Sequence, residues 1–441
     1  MDTTSLLDAM RLGKPEDLYY YTSDTTKKQS IATLVDNRFQ YGLSQLGQGS
    51  STIILSPDQG ISDIILAMKL PAQGAGQSVS GTANYAGLAL PRGWGYSMLS
   101  RVSARYAGSS QYFWTGSQVM LQNLREASNP VARDQLFYLG GSALAGAAAG
   151  AGDFVGDNLW AYLYLNLPHC SPNGSAEKPK PFPSELLTMP IVITIEMVNP
   201  STVFSSAVAG GSVAGAPVQL EFGSVQIRQV HARDRGQLMT PSSDSNKGYS
   251  LPIIFYQNQI DIPVVADAVS GSASVTLTGM RAGDMTHIIA WLTDNADTNP
   301  NRAAPFVYQP FKFAQIYDPT ILYNGTVYFT AKNEASRLWN LVSTDVQAEL
   351  PGVALALGAG PTAGTVVLSE PDLVTWLEVP FGQIFEQISA THTLVHGLPV
   401  SNAVINMNLT VPNPAHSYTL HVVYVMNSVL FISRGNVEYA F

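Results

Sequence analysis

The chain has 441 residues, of which 46% are hydrophobic and only 12% charged, about half of the roughly 25% usual for soluble domains. So neutral a surface suits a protein covered by neighbours, where each buried charge must be paired or costs several kcal/mol, and it equally suits a secreted β-sandwich. A net charge of −9, with basic residues confined to short stretches at Lys27-Lys28, Lys178 to Lys180 and Arg228 to Arg235, excludes a protein that grips nucleic-acid phosphates without regard to sequence.

The chain opens Met1-Asp2-Thr3-Thr4, with no basic region ahead of an apolar run, so no secretory signal is expected. Thr52 to Leu55 is the first clear strand candidate. Gln118 to Ala127 has helical spacing, with Val119, Met120 and Leu124 along one side. Ile191 to Met197 alternates with period two and puts Ile191, Ile193, Ile195 and Met197 on one face. Val275 to Thr278, Gly325 to Phe329 and Val404 to Thr410 behave alike. Glu334 to Leu350 predicts a second helix, with Leu338, Leu341, Val342 and Val346 on one stripe and Asn333 as its N-cap. Tyr418 to Phe431 is strand-like, with Asn427-Ser428 marking a bulge or turn. β-branched and aromatic residues dominate these runs, as pleated surfaces favour.

Three uncharged stretches rich in Gly, Ala, Ser and Pro, Ser142 to Gly152, Ser205 to Pro217 and Gly352 to Gly364, predict exposed loops or arms. The polar segment from Asp234 to Gly248 lies near mid-chain. On either side come strands, a helix-bearing insertion, then strands again. Tandem duplication of one β-sandwich is the economical reading, and the strand–helix alternation of a parallel sheet is absent. No apolar run is long enough to span a bilayer.

Catalytic patterns are missing. There is no His-Glu-x-x-His, no phosphate-binding Gly-x-x-x-x-Gly-Lys-Ser/Thr and no Gly-x-Ser-x-Gly. No catalytic, cofactor or metal residue is assigned, and no enzyme activity is expected. His392 and His396 have the spacing of two ligands on a helix face, but their segment reads as strand or turn. Asp294 to Asn299 resembles a calcium loop in composition only, lacking the glycine and glutamate that such a loop needs. Cys170, the single cysteine, permits no intrachain disulfide and suits a reducing compartment. It follows His169 directly, whereas a nucleophilic Cys–His pair normally comes from separate parts of a fold. Six tryptophans, Trp94, Trp114, Trp160, Trp291, Trp339 and Trp376, are spread evenly, as for core and interface packing. Asn173, Asn324 and Asn408 begin glycosylation-type triplets that carry little meaning without a secretory route.

The aromatic-aliphatic run Trp160 to Pro168 ends in Leu165-Asn166-Leu167-Pro168. After a Pro-rich loop it is followed by Pro183 to Met197. This pairing resembles the double jelly-roll major capsid proteins of large double-stranded DNA viruses, the iridoviruses and their relatives. Met98 to Tyr106, Phe113 to Glu126, Ser250 to Pro263, Thr286 to Leu292 and Tyr418 to Phe431 follow the same order as that family's strands and helix.

The resemblance implies an all-β protein of two tandem eight-stranded jelly-roll sandwiches with short helical insertions and long loops. It divides the chain into an N-terminal arm (1–37), a first jelly roll (38–235) and a second (236–441). Three copies would form a pseudo-hexagonal homotrimer, and such capsomers would tile an icosahedral shell in the virion. Partners would be neighbouring capsomers, minor capsid proteins and an underlying internal membrane, with no direct nucleic-acid contact and assembly in the host cytoplasm. The competing expectation is a glycan-binding sandwich of lectin or fibre type, which would need exposed aromatics beside Asp and Asn. A cupin-like enzyme would need a His-x-His pair, which Thr391-His392-Thr393 lacks.

Overall fold

The computed structural model describes residues 38–42, 49–55, 60–72, 85–91, 93–106, 112–126, 139–142, 144–146, 154–165, 184, 187–206, 220–230, 249–295, 311, 313–331, 376–381, 383–389, 392–433 and 436–440. The first half carries β1 (Arg38–Gly42), β2 (Gly49–Leu55), β3 (Gly60–Lys69), β4 (Leu88–Leu90), β5 (Leu99–Arg105), β6 (Tyr112–Thr115), β7 (Leu144–Ala145), β8 (Trp160–Tyr164), β9 (Ile191–Met197), β10 (Ser205–Ser206) and β11 (Phe222–Val230). Helices α1 (Trp94–Met98) and α2 (Gly116–Glu126) interrupt them. The second half carries β12 (Tyr249–Tyr256), β13 (Ile260–Val264), β14 (Ser272–Leu277), β15 (Asp284–Asp294), β16 (Phe313–Ala314), β17 (Tyr317–Tyr323), β18 (Thr326–Thr330), β19 (Leu377–Pro380), β20 (Gln383–Ser389), β21 (His392–His396), β22 (Leu398–Pro399), β23 (Ile405–Thr410), β24 (Tyr418–Ser433) and β25 (Asn436–Ala440).

Among the described residues all strand pairings are antiparallel, and the topology repeats. In the first half one sheet runs β1-β11-β3-β8 and the facing sheet runs β2-β9-β5-β6. In the second half the corresponding ladders are β12-β24-β15-β19 and β14-β23-β17-β18. The principal strands are thus dealt to two sheets in the same way twice: first beside last, third and sixth in one sheet, and second, seventh, fourth and fifth in the other. That is the jelly-roll arrangement, two Greek keys folded into a double sheet. The fold class read from the sequence is the one observed.

Period-two burial builds each sandwich. On β9, Ile191, Ile193, Ile195 and Met197 are all buried while the residues between them are half-exposed. On β14, Ala273, Val275 and Leu277 point inward and Ser272, Ser274 and Thr276 outward. Side chains alternate across a strand, so one apolar face per strand suffices to make a sandwich core. The hairpin from β17 to β18 turns on Asn324 and Gly325, with φ of 49° and 80°. Two successive positive φ values give the type I′ geometry that matches strand twist, which asparagine and glycine supply at least cost.

Two local expectations need correction. Asn427 and Ser428 do not break the last long strand. They pair with Ile254 and Ile253, and β24 continues to Ser433. Parts of the small-residue stretches are packed, not exposed loops. Leu144 and Ala145 form β7, Ser205 and Ser206 form β10, and both pair with β4 in a three-stranded sheet. Small residues permit this approach: a Cβ on Gly146 would collide with the carbonyl oxygen of Tyr85, and one on Gly141 with the Trp94 ring. The remainder of those stretches, the 334–350 helix and the 1–37 arm lie outside the described residues.

Candidate assembly interface

The two sandwiches meet where the edge strand β6 and the first turn of α2 press on the segment joining β12 to β13. Tyr112 of β6 packs edge-on against Phe255 of β12, with ring centroids 5.2 Å apart. The Arg281 guanidinium lies over both rings, at 5.9 and 5.5 Å. The backbone N–H of Phe113 donates to Asn258 Oδ1 at 3.2 Å. The Thr115 hydroxyl donates to Gln259 Oε1, and Gln118 Nε2 donates to the Gln257 carbonyl at 3.4 Å. Thr115 also caps α2, accepting the Gln118 N–H at 3.3 Å. One threonine therefore starts the helix and ties it to the other sandwich.

Behind this contact, the second sandwich buries both faces of its neighbouring strands β24 and β15. Ile288, Ala290 and Leu292 of β15 and Leu420, Val422 and Tyr424 of β24 belong to its own core. Ile289, Trp291, Val423 and Val425, from the alternate positions, join Phe313 and Trp376 in the apolar cluster that fills the first sandwich. Burial of a sheet on both sides is what a permanent interface requires, because water then reaches neither face.

A polar network borders the apolar contact. His421 stacks on Trp291 with ring centroids 5.4 Å apart. Its Nδ1 lies 2.7 Å from Asp261 Oδ1 and its Nε2 2.8 Å from the Thr293 hydroxyl. Gln259 Nε2 reaches Asp261 Oδ1 at 2.6 Å, so the network runs from Thr115 through Gln259 to His421. The hydrogen bond from His421 holds the Asp261 carboxyl below the usual carboxylate range, against the opposing effect of partial burial. Two further histidines face carboxylates: His416 lies 2.7 Å from Asp294 and His287 lies 3.8 Å from Glu378.

The residues singled out for chemistry do not converge. His392 and His396 sit at the two ends of β21, a strand paired with β20 and not a helix face. Among the described residues no three His, Cys, Asp or Glu side chains come close enough together to hold a metal ion. Asp294 ends β15 and is engaged by His416, while 296–299 lie outside the described residues, as do His169, Cys170, Asn173 and Trp339. Asn324 serves the hairpin turn, its Oδ1 accepting the Val404 N–H at 2.9 Å, and Asn408 lies within β23. Trp94, Trp114, Trp291 and Trp376 are buried and Trp160 is half-buried, so no fully exposed tryptophan platform occurs among the described residues. No helix among them is long and apolar enough to cross a membrane.

The interface residues Gln257, Asn258, Gln259 and Arg281 were not anticipated. Their one sequence signal is the polar triplet Gln257-Asn258-Gln259 set between the apolar runs of β12 and β13.

No protein-family model matches the chain, and no curated protein is similar to it in sequence. Solved structures are similar in fold. The crystal structure of PBCV-1 VP54, fitted into a reconstruction of the virophage Sputnik, is 13% identical, with a TM-score of 0.58 over 92% of this chain and 95% of that one. A quasi-atomic model of the PBCV-1 virus capsid gives 0.57 at 13% identity, over 92% and 95%. The Faustovirus major capsid protein gives 0.52 at 10% identity, over 98% and 99%. The likeness extends through both sandwiches, and the chain has the double jelly-roll fold that those capsid proteins share.

Proposed function

We propose that this chain is the major capsid protein of a large double-stranded DNA virus, a structural subunit and not an enzyme. Three copies form a pseudo-hexagonal capsomer, and capsomers tile an icosahedral shell. The observation that carries this reading is the fusion of two jelly rolls with identical strand order through one continuous apolar cluster. Such a subunit offers two nearly equivalent wedges, so three copies supply the six sides that hexagonal tiling needs. Its likeness in fold to capsid proteins over nearly the whole of both chains supports the same reading. The sparse charge of the sequence agrees with surfaces that neighbours cover.

In this reading residues 1–37 form an arm beneath or between neighbours, 38–235 the first wedge and 236–441 the second. Minor capsid proteins and an internal membrane lie beneath the shell, the genome is not touched, and the protein resides in the virion after assembly in the host cytoplasm. The test is the mass of the purified protein by light scattering on a sizing column. A stable species near three times 47.3 kDa, with hexagonal outlines in electron micrographs, is expected. A monomer at every concentration up to tens of micromolar would overturn the reading.

A further inference from the structure

A sugar-binding surface needs accessible aromatic rings beside carboxylate and amide groups, and one place on the first sandwich meets that need. Trp160 opens β8, Lys69 closes β3 and Phe222 opens β11. The register sets Lys69 opposite both Trp160 and Phe222, so the three lie together at one end of the sheet. Among the described residues Trp160 is the one tryptophan that is not buried. Tyr162, two residues along β8, and Phe222 are half-buried as well. Trp160 and Tyr162 stack in parallel, with ring centroids 5.7 Å apart, and Phe222 meets Trp160 edge-on at 5.5 Å.

Polar groups border these rings. A 3-10 turn, Gly156–Leu159, leads directly into β8 and carries Asp157, exposed, and Asn158, half-buried. Lys69 Nζ lies 5.7 Å from the centre of the Trp160 ring and is ion-paired to Glu221 at 3.0 Å. The negative charge of Asp157 reaches Tyr162: partial burial first, and that charge second, push the tyrosine hydroxyl above its usual range.

The turn is pinned at both ends. Gly156 has φ 56°, and the Asn158 N–H donates to the Val155 carbonyl at 3.2 Å. The Trp160 N–H donates to the Asp157 carbonyl, and the Leu70 N–H to the Leu159 carbonyl at 3.0 Å. The backbones that carry Asp157 and Trp160 are therefore held relative to one another before a ligand arrives, which lowers the ordering cost of binding.

A pyranose matches this set of groups. One side of the sugar ring presents C–H groups that pack on an aromatic face. Its rim carries hydroxyls, which donate to carboxylates and accept from an ammonium. The charges at the site are one ammonium, Lys69, against two carboxylates, Glu221 and Asp157, so a further anion is disfavoured.

We infer that Trp160 and Tyr162, with Asp157 and Lys69 beside them, form a binding site for an uncharged pyranose of a glycan. The rings are the stacking platform and the charged groups are the partners of the hydroxyls. This adds recognition to the structural role and does not depend on how copies assemble. A single site of so few contacts binds weakly, and display of many copies on one particle raises the avidity without any new contact.

Saturation-transfer NMR on the intact protein tests it. The probes are the methyl glycosides of galactose, glucose, mannose and N-acetylglucosamine in both anomers, with sialyllactose as the anionic counterpart. Transfer to the ring protons of at least one neutral sugar is expected, with tryptophan fluorescence giving its affinity. Asp157→Ala and Tyr162→Ala are each expected to weaken that affinity about tenfold or more, with circular dichroism and thermal unfolding reporting the fold. No transfer to any neutral sugar overturns the inference and leaves the assembly reading untouched. Unchanged affinity in either folded variant puts the sugar elsewhere and overturns it too. Equal or tighter binding of sialyllactose overturns the assignment to uncharged sugars. Should Tyr162→Ala fail to fold, Asp157→Ala, on the exposed turn, decides.

Discussion

Tyr112 and Phe255 meet edge to face, and at that contact an edge strand of one sandwich enters the wall of the other. Both rings are almost fully buried. Phe255→Ala is expected to cost about 3–5 kcal/mol, the range for deleting a buried aromatic side chain. A double-mutant cycle with Tyr112→Ala should return a coupling of about 0.5–1.5 kcal/mol, as for aromatic pairs of this geometry. Urea unfolding gives both numbers. Strictly additive costs would mean that the rings merely lie near one another.

The Asn324-Gly325 turn fixes the register of the β17–β18 hairpin. Gly325→Ala places a Cβ at φ 80° and is expected to destabilise by about 1–2 kcal/mol. No neighbour lies within 4 Å of that Cβ, so the cost is conformational and not steric. Asn324→Ala forfeits the Val404 N–H bond as well as tolerance of positive φ, and should cost a similar amount. Thermal unfolding of both variants checks this, and unchanged midpoints would contradict it.

Asp261 ties stability to pH on the acid side. Its carboxyl is held below the usual range chiefly by the His421 hydrogen bond, so the folded state binds its proton less readily than the unfolded chain. The resulting stabilisation is complete above the unfolded carboxyl pKa of about 3.9 and disappears as pH falls through the lower folded value. The Asp261 side chain is more than half exposed, so the effect is about 1 kcal/mol or less. Asp261→Asn should flatten the dependence of unfolding free energy on pH below about 4. A variant with the wild-type slope there would remove Asp261 from the account.

Gly141 has φ 119°, and a Cβ there would run into the Trp94 ring. The Gly93 and Gly95 N–H groups, on either side of Trp94, donate to the carbonyls of Gly141 and Gly140, so the ring cannot easily move away. Gly141→Ala is expected to cost about 1–3 kcal/mol. The change should also perturb near-ultraviolet circular dichroism, which reports the packing of buried tryptophan. A spectrum and a stability unchanged from wild type would count against the packing described.

The fold was legible in the sequence wherever one face of a strand is buried and the other is not. β9 and β14 show this, because period two is then written residue by residue. It was less legible where both faces are buried: the centre of β15, Ile288 to Leu292, is an unbroken apolar run, and nothing in such a run says that Trp291 faces the other sandwich while Ala290 faces its own core. The stretch around Leu144 was misjudged because small residues look alike in an open loop and beneath a packed ring. The junction offered one hint, the polar triplet before β13, whose partner lies far back in the chain at β6.

The pairing of first strand with last has a kinetic consequence. Arg38 lies opposite Arg228, and Tyr249 opposite Ile432, so each sandwich is closed by its two most distant segments. Such non-local closure makes folding slow and leaves apolar strands open meanwhile. During synthesis the first sandwich can finish only once β11 has left the ribosome, and the second only once β24 has. Until then the sheet that will line the junction has no β24. The nascent chain therefore spends that time as an incomplete half, at risk of joining a neighbour's strand before it finds its own.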